Sequence, residues 1–178
     1  MCIEIEAKLK VDSLLEVEQK LKELGAGFQA EQLQTDHFYD DSNAALTTTD
    51  RCLRIRQQSV AGSERFFLTY KGAKEESNFK KRQEIEIEII EAQSTQKLLS
   101  ALGYEEILVV KKKRCLWQFG QCAVALDQLP LLGDFVEIEG PNNEEIADVQ
   151  NSLGLSQLSH IEKSYAQLTK EERDRRGI

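Results

Sequence analysis

Residues 2–10 alternate, with Ile3, Ile5, Ala7 and Leu9 on one side and Glu4, Glu6, Lys8 and Lys10 on the other. That period of two predicts a strand with one apolar face. The spacing then changes. Leu14, Val17, Leu21 and Leu24 recur at helical intervals, Ser13 and Glu16 stand in capping-box positions, and Gly25 can end the helix. After a loop at 40–50, alternation returns in Cys52-Leu53-Arg54-Ile55-Arg56. A turn at Gly62 and Ser63 leads to a partner strand over 66–71. Residues 72–79 are polar and read as a loop, and Arg82 to Ile89 alternates again. A helix is expected from Thr95 to Leu102, then a hairpin of 107–119 and 122–128 turning near Gly120, then a strand from Phe135 to Glu139. Two more helices are expected, Glu144 to Leu153 and Glu162 to Leu168. The charged run Lys170 to Arg176 is expected to fray. Hairpin-like spacing argues for an antiparallel sheet, and about eight strands can close into a barrel that holds one small ligand.

The polar faces of these strands carry the functional signal. A single charged face is ordinarily a solvated one. Here, however, charges of one sign recur at i, i+2, about 7 Å apart. Glu4/Glu6, Glu84/Glu86/Glu88 and Glu137/Glu139 are acidic, whereas Arg54/Arg56 and Lys112/Arg114 are basic. Like charges at that distance repel unless opposite charges lie among them. With Asp127 the acids, and with Lys8, Lys71, Arg82 and Lys163 the bases, form two balanced sets suited to a closed interior. Converging carboxylates supply oxygen ligands for Mg²⁺ or Mn²⁺, and converging Arg and Lys neutralise phosphate oxygens. A triphosphate with its metal wants both. No GxxxxGK loop is present, so side chains must do the binding. The opposite faces, from Ile3 and Ile5 through Leu53, Ile55, Ile85, Ile87, Ile89, Val124, Leu126 and Val136 to Ile138, are expected to point outward under amphipathic helices.

A length of 178 residues fits one domain over 1–178 with its last ~8 residues frayed. The net charge of −8 argues against nucleic acid as partner. Cys2, Cys52, Cys115 and Cys122 show no CxxC spacing, and His37 and His160 lie far apart, so neither zinc nor disulfides are expected. No signal peptide and no run of ~20 apolar residues is present, so the expectation is a cytoplasmic protein without a membrane partner. A homodimer is left open.

Glu4-Ile5-Glu6-Ala7-Lys8 is an N-terminal ExExK motif. It is followed in order by Leu53-Arg54-Ile55-Arg56, Thr69-Tyr70-Lys71-Gly72, Arg82-Gln83-Glu84-Ile85-Glu86, Lys112-Lys113-Arg114, Gly133 to Glu139, and Lys163-Ser164-Tyr165. Over nearly its whole length the chain resembles the CYTH superfamily, the triphosphate tunnel metalloenzymes. These include class IV (CyaB-type) adenylate cyclases, thiamine triphosphatases and inorganic triphosphatases. The resemblance implies an α+β fold, a closed eight-stranded antiparallel tunnel with helices outside. It implies that Glu4, Glu6, Asp127, Glu137 and Glu139 handle Mg²⁺ or Mn²⁺, with Glu84 or Glu86 assisting. It implies that Lys8, Arg54, Arg56, Lys71, Arg114 and Lys163 grip the triphosphate. Arg82 and Lys112 join that set as inward bases. Asp36 to Asp40 resembles the family's aromatic-rich segment, in which His37 and Tyr39 are as consistent with packing as with function.

Three activities fit such a tunnel. A metal-dependent triphosphatase would direct a metal-bound or Lys8-assisted water at the terminal phosphorus, with Glu4, Glu6 and Lys8 as the catalytic group. An adenylate cyclase would convert ATP to cyclic AMP and pyrophosphate, and needs a nucleoside clamp that the sequence does not reveal. A non-catalytic polyphosphate-binding module is the third. Hydrolysis makes the smallest demand and is the preferred expectation.

Overall fold

The computed structural model describes residues 2–75 and 79–178. Eight antiparallel strands close into a barrel in the order β1-β5-β4-β3-β2-β6-β7-β8. They are β1 (Cys2–Lys10), β2 (Gly27–Asp41), β3 (Cys52–Val60), β4 (Ser63–Glu75), β5 (Lys80–Ile89), β6 (Tyr104–Phe119), β7 (Cys122–Leu129) and β8 (Gly133–Glu139). Five helices lie outside: α1 (Leu14–Glu23), α2 (Ala45–Thr48), α3 (Ala92–Ala101), α4 (Asn143–Ser152) and α5 (Tyr165–Arg176). None is long and apolar enough to cross a membrane.

Local chemistry accounts for most boundaries. Ser13 Oγ accepts the Glu16 N–H at 3.4 Å to start α1, and Gly25, at φ 77°, carries the chain out of it. Val17 and Leu21 are the buried face of α1. With Ile146 and Val149 of α4 they cover Ala7, Leu9, Val124, Val136 and Ile138 on the outside of β1, β7 and β8. Each such large side chain contributes ~1.5–3 kcal/mol. Packing is closest at Gly140, where a Cβ would lie 2.7 Å from Cys122 Sγ and 3.0 Å from Ile146 Cγ1. Gly140→Ala should therefore cost about 1–3 kcal/mol of stability in denaturant titration. A variant as stable as the parent would contradict this packing.

Four expectations need correcting. The loop at 40–50 is preceded by β2, a 15-residue strand that was not foreseen, and contains α2. Asp40, 1% exposed, accepts the N–H groups of Leu46 and Thr47 and so folds the segment. The loop read at 72–79 is β4 as far as Glu75, and its residues 76–78 lie outside those described. The last helix begins at Tyr165 rather than Glu162. It runs through the stretch expected to fray, where Glu172 pairs with both Arg175 and Arg176. Finally, the apolar jacket is incomplete. The helices leave Ile3 at the start of β1 and Ile85 and Ile87 on β5 at 54%, 46% and 53% exposure.

Candidate active site

Alternation places even-numbered side chains of β1, β3 and β5 and odd-numbered ones of β8 inside the barrel, around a cavity of about 440 Å³. Eight cationic and seven carboxylate side chains line it, so the interior is nearly neutral although the whole chain carries −8. Register brings opposite charges side by side: Glu4 faces Arg82, Glu6 faces Lys80, and Lys8 faces Glu137.

One part of the wall is acidic. Glu4, Glu6, Glu84 and Glu139 come from β1, β5 and β8. Lys71 binds Glu4 at 2.6 Å and Glu84 at 3.3 Å, and Lys80 binds Glu6 at 2.5 Å. Burial and the neighbouring Glu6 raise Glu4 despite Lys71. Burial, Glu4, Glu6 and Glu84 push Glu139 up to about 7. Glu6 goes the other way. Burial and Glu137 oppose its charge, but Lys80, Lys8 and Lys71 outweigh them and hold it at about 2.

A second part is cationic. Arg114 grips Asp127 with two bonds and also meets Glu137. Lys112 reaches Asp127 at 3.3 Å, and Tyr165 donates its hydroxyl to the same carboxylate at 2.9 Å. Lys8 binds Glu137 at 3.1 Å. Although burial disfavours its charge, Glu137 is held well below the usual carboxylate range by Lys8 and Arg114. Burial and Arg114 lower Lys112 to about 7.

The third part is built on β2, β3 and β5. Asp36, 4% exposed, is held in a fork by Arg56 at 2.6 and 2.8 Å. Arg54 touches Asp36 only at 3.4 Å, lies 3.9 Å from Glu84 and Glu86, and has a buried Nε with no partner. Arg82 is 3% exposed, its Nε also has no partner, and it makes no ion pair among the described residues.

The expected site residues are thus brought together with three exceptions. Asp127 is fully buried beneath Arg114, Lys112 and Tyr165 and does not line the cavity. The Lys163 side chain is 55% exposed and pairs with Glu171; only its carbonyl turns inward, accepting from Lys8 Nζ at 3.3 Å. Glu88, expected inside, is exposed and pairs with Arg65. Lys80, Asp36 and Tyr165 line the cavity and were not singled out. Lys80 shares the parity of Arg82 and Glu84, which was a usable signal. Asp36 was hidden by the missed strand.

The acidic wall fits a hard divalent cation in donor chemistry. It offers several oxygens around one cavity, and the upward shifts of Glu4 and Glu139 report burial together with carboxylate repulsion that the nearby lysines do not offset. Among the described residues no three such groups are yet gathered around one point, because Lys71 and Lys80 stand between them.

A second cavity, of about 320 Å³, adjoins the first and shares Phe38, Cys52 and Arg82 with it. Tyr39, Leu53, Ile107 and Leu108 give it an apolar wall, and Gln167 and Lys170 of α5 close it.

Comparison with known proteins agrees with this fold. The CYTH domain profile matches residues 2–165. A provisionally named adenylate cyclase of Methanocaldococcus jannaschii is 30% identical over 175 residues, 93% of this chain and 98% of that one. The structure of PH1819 from Pyrococcus horikoshii superposes with a TM-score of 0.84 at 31% identity, covering 96% of this chain and 99% of that one. The provisionally named adenylyl cyclase HpAC1 from Hippeastrum, described as revealing a dominant triphosphatase activity, shares the fold alone. Its TM-score is 0.68 at 16% identity, over 98% of this chain and 96% of that one.

Proposed function

Since the chain belongs to the CYTH domain family, we propose that it binds a linear triphosphate in the barrel and hydrolyses it with the help of a divalent cation, Mg²⁺ or Mn²⁺. The observation that carries this reading is the pair Arg54 and Arg82. Leaving a buried guanidinium N–H without an acceptor costs about 1–3 kcal/mol. Two of them beside one cavity, each with an unpartnered Nε, point to an anion of several charges as the missing partner. Lys8, Lys112 and Arg114 extend the positive surface, with Arg56 behind it and Lys71 at the acidic wall.

Glu4, Glu6, Glu84 and Glu139 would hold the cation, with Glu86 at the margin and Glu137 held by Lys8 and Arg114. When bound, the cation withdraws charge from the phosphate oxygens and orients the reacting water. The chain's own groups do the rest. The arginines fix the phosphates in line, and Lys8 and Lys112 neutralise the charge that develops as water oxygen bonds to the terminal phosphorus. The bridging P–O bond breaks, its electrons leave on diphosphate, and the proton of the attacking water passes to the wet cavity. Incubating the protein with tripolyphosphate and Mg²⁺ or Mn²⁺ should release orthophosphate. No release with either metal would overturn the reading.

The second cavity favours a second reading, cyclisation of ATP. That reaction needs a nucleoside clamp, and a pocket of about 320 Å³ sharing Arg82 with the phosphate site offers one. The name of the Methanocaldococcus relative points the same way. The fold does not choose, since the name and described activity of the Hippeastrum protein already diverge within it. Ile107 lines that cavity and is 54% exposed, so Ile107→Trp should fill it at little cost in stability. If a nucleoside sits there, the KM for ATP rises about tenfold or more, while tripolyphosphate is turned over as before. Equal kinetics for ATP in parent and variant would remove the clamp.

A further inference from the structure

We propose that Tyr165 is a positioning residue whose ring holds the ammonium groups of Lys8 and Lys112 at the phosphate site without neutralising the charge that a phosphate needs; the role rests on the triphosphate reading above. Lys8 Nζ lies 4.2 Å from the centre of the Tyr165 ring and Lys112 Nζ lies 4.8 Å from it. Both distances are within the range of cation–π attraction. The two lysines are 2% and 6% exposed, so little water is left to solvate them.

The choice of partner matters. A carboxylate in contact with an ammonium takes a donor and cancels the charge, and a phosphate must displace it. Lys71 and Lys80 are held in that way, against Glu4 and Glu6. An aromatic face attracts the cation through its quadrupole, at most by a weak N–H···π contact, and brings no negative charge to cancel the ammonium. Lys8 has Glu137 at 3.1 Å, Glu6 at 4.0 Å and a carbonyl at 3.3 Å, and Lys112 has one carboxylate at 3.3 Å. The ring adds to their stabilisation without cancelling further charge.

The ring is itself fixed from several directions. Its hydroxyl donates to the buried Asp127, and it packs edge-on against Phe135 at 5.2 Å. The backbone is set by the capping box in which Ser164 accepts the Gln167 N–H and Gln167 accepts the Ser164 N–H. Helix α5 therefore enters the site through its first residue, with Lys163 turned outward beside it.

The test uses the full chain, with tripolyphosphate as probe and chelator present so that binding is measured without turnover. Tyr165→Phe keeps the ring and loses the hydroxyl; Tyr165→Leu loses both. We expect the dissociation constant to stay within about threefold for Tyr165→Phe and to rise about tenfold or more for Tyr165→Leu. In a Lys8→Gln/Lys112→Gln background the Leu variant should add no further loss, because the ring acts through those lysines. Packing alone would lower the melting temperature and leave affinity and that coupling unmoved. Equal losses in Phe and Leu variants would assign the effect to the hydroxyl and overturn the proposal, as would full affinity in both. If Tyr165→Leu does not fold, Tyr165→Met fills the space without a π face. In the ligand-free protein the ε-methylene protons of Lys8 and Lys112 should show upfield ring-current shifts that survive in the Phe variant. Their absence from the parent overturns the geometry itself. A parent that shows these shifts but binds no tripolyphosphate overturns the triphosphate reading instead.

Discussion

Adding Mg²⁺ or Mn²⁺ should raise the melting temperature strongly at about pH 7.5 and little at about pH 5, and Glu139→Gln should abolish the difference. The sign follows from Glu139. Its carboxyl is raised to about 7 in the folded protein by burial, Glu4, Glu6 and Glu84. Between the ordinary value of 4.5 and about 7, the folded protein keeps a proton that the unfolded chain has released. The stability tied to this group is therefore full below that window and lost as pH rises through it. Glu4, also raised, acts in the same direction. Glu6, held at about 2, contributes stability above its unfolded value that is lost as pH falls towards 2, so the two effects occupy separate windows. A divalent cation offsets the repulsion among ionised carboxylates, so its stabilising effect grows as they ionise. Thermal melts with and without metal across this range test the prediction, and a metal shift independent of pH would contradict it. Turnover by Glu139→Gln should fall about 10²-fold, as expected for removing one preorganised charge. Full turnover in excess chelator would end the metal reading.

Arg54→Lys and Arg56→Ala should fail in different ways although the residues are neighbours on β3. Arg56 is committed to Asp36 through two short bonds. Its removal leaves a buried carboxylate with only the 3.4 Å contact of Arg54, so Arg56→Ala should cost about 3–5 kcal/mol of stability. Arg54 is held more loosely, with its nearest carboxylate at 3.4 Å and Nε unpartnered. Lysine preserves its charge but not its fork. Arg54→Lys should thus keep the melting temperature within a few degrees and lose about tenfold or more in tripolyphosphate affinity. Paired calorimetry and binding measurements on both variants decide the matter. A silent Arg54→Lys would mean that the guanidinium does not meet phosphate.

The strands whose charges alternate with isoleucine or valine were legible because burial outside the barrel and charge inside it impose the same period. β1, β5 and β8 are the clearest cases. β2 was not, because its outward positions Leu33, Thr35 and His37 are mixed and its inward positions Gln34, Asp36 and Phe38 are not uniformly charged. The missing apolar period hid the strand, and with it the carboxylate that holds Arg56. Lys163 is less legible for another reason. Its side chain is exposed and pairs with Glu171 while Tyr165 faces the cavity, and sequence spacing near a helix start does not say which side chain turns in. The distinction between a carboxylate that meets ligand and one that braces a cation was also beyond the sequence. Asp127 and Glu139 look alike there, yet one is sealed under three donors and the other faces the cavity.

Strand β1 hydrogen-bonds on one side to β5 and on the other to β8, so the first strand made and the last strand made are neighbours in the closed wall. At a synthesis rate of about 5–20 residues per second, Glu4, Glu6 and Lys8 wait roughly 6–30 seconds for Glu137 and Glu139 to be polymerised. Such pairings between distant segments have a large loop-closure entropy and make folding slow. Nascent β1, carrying like charges two apart without their partners, gains little from premature pairing. The ring closes only when β8 arrives, and anion-binding capacity should therefore emerge on the ribosome in one late step rather than strand by strand.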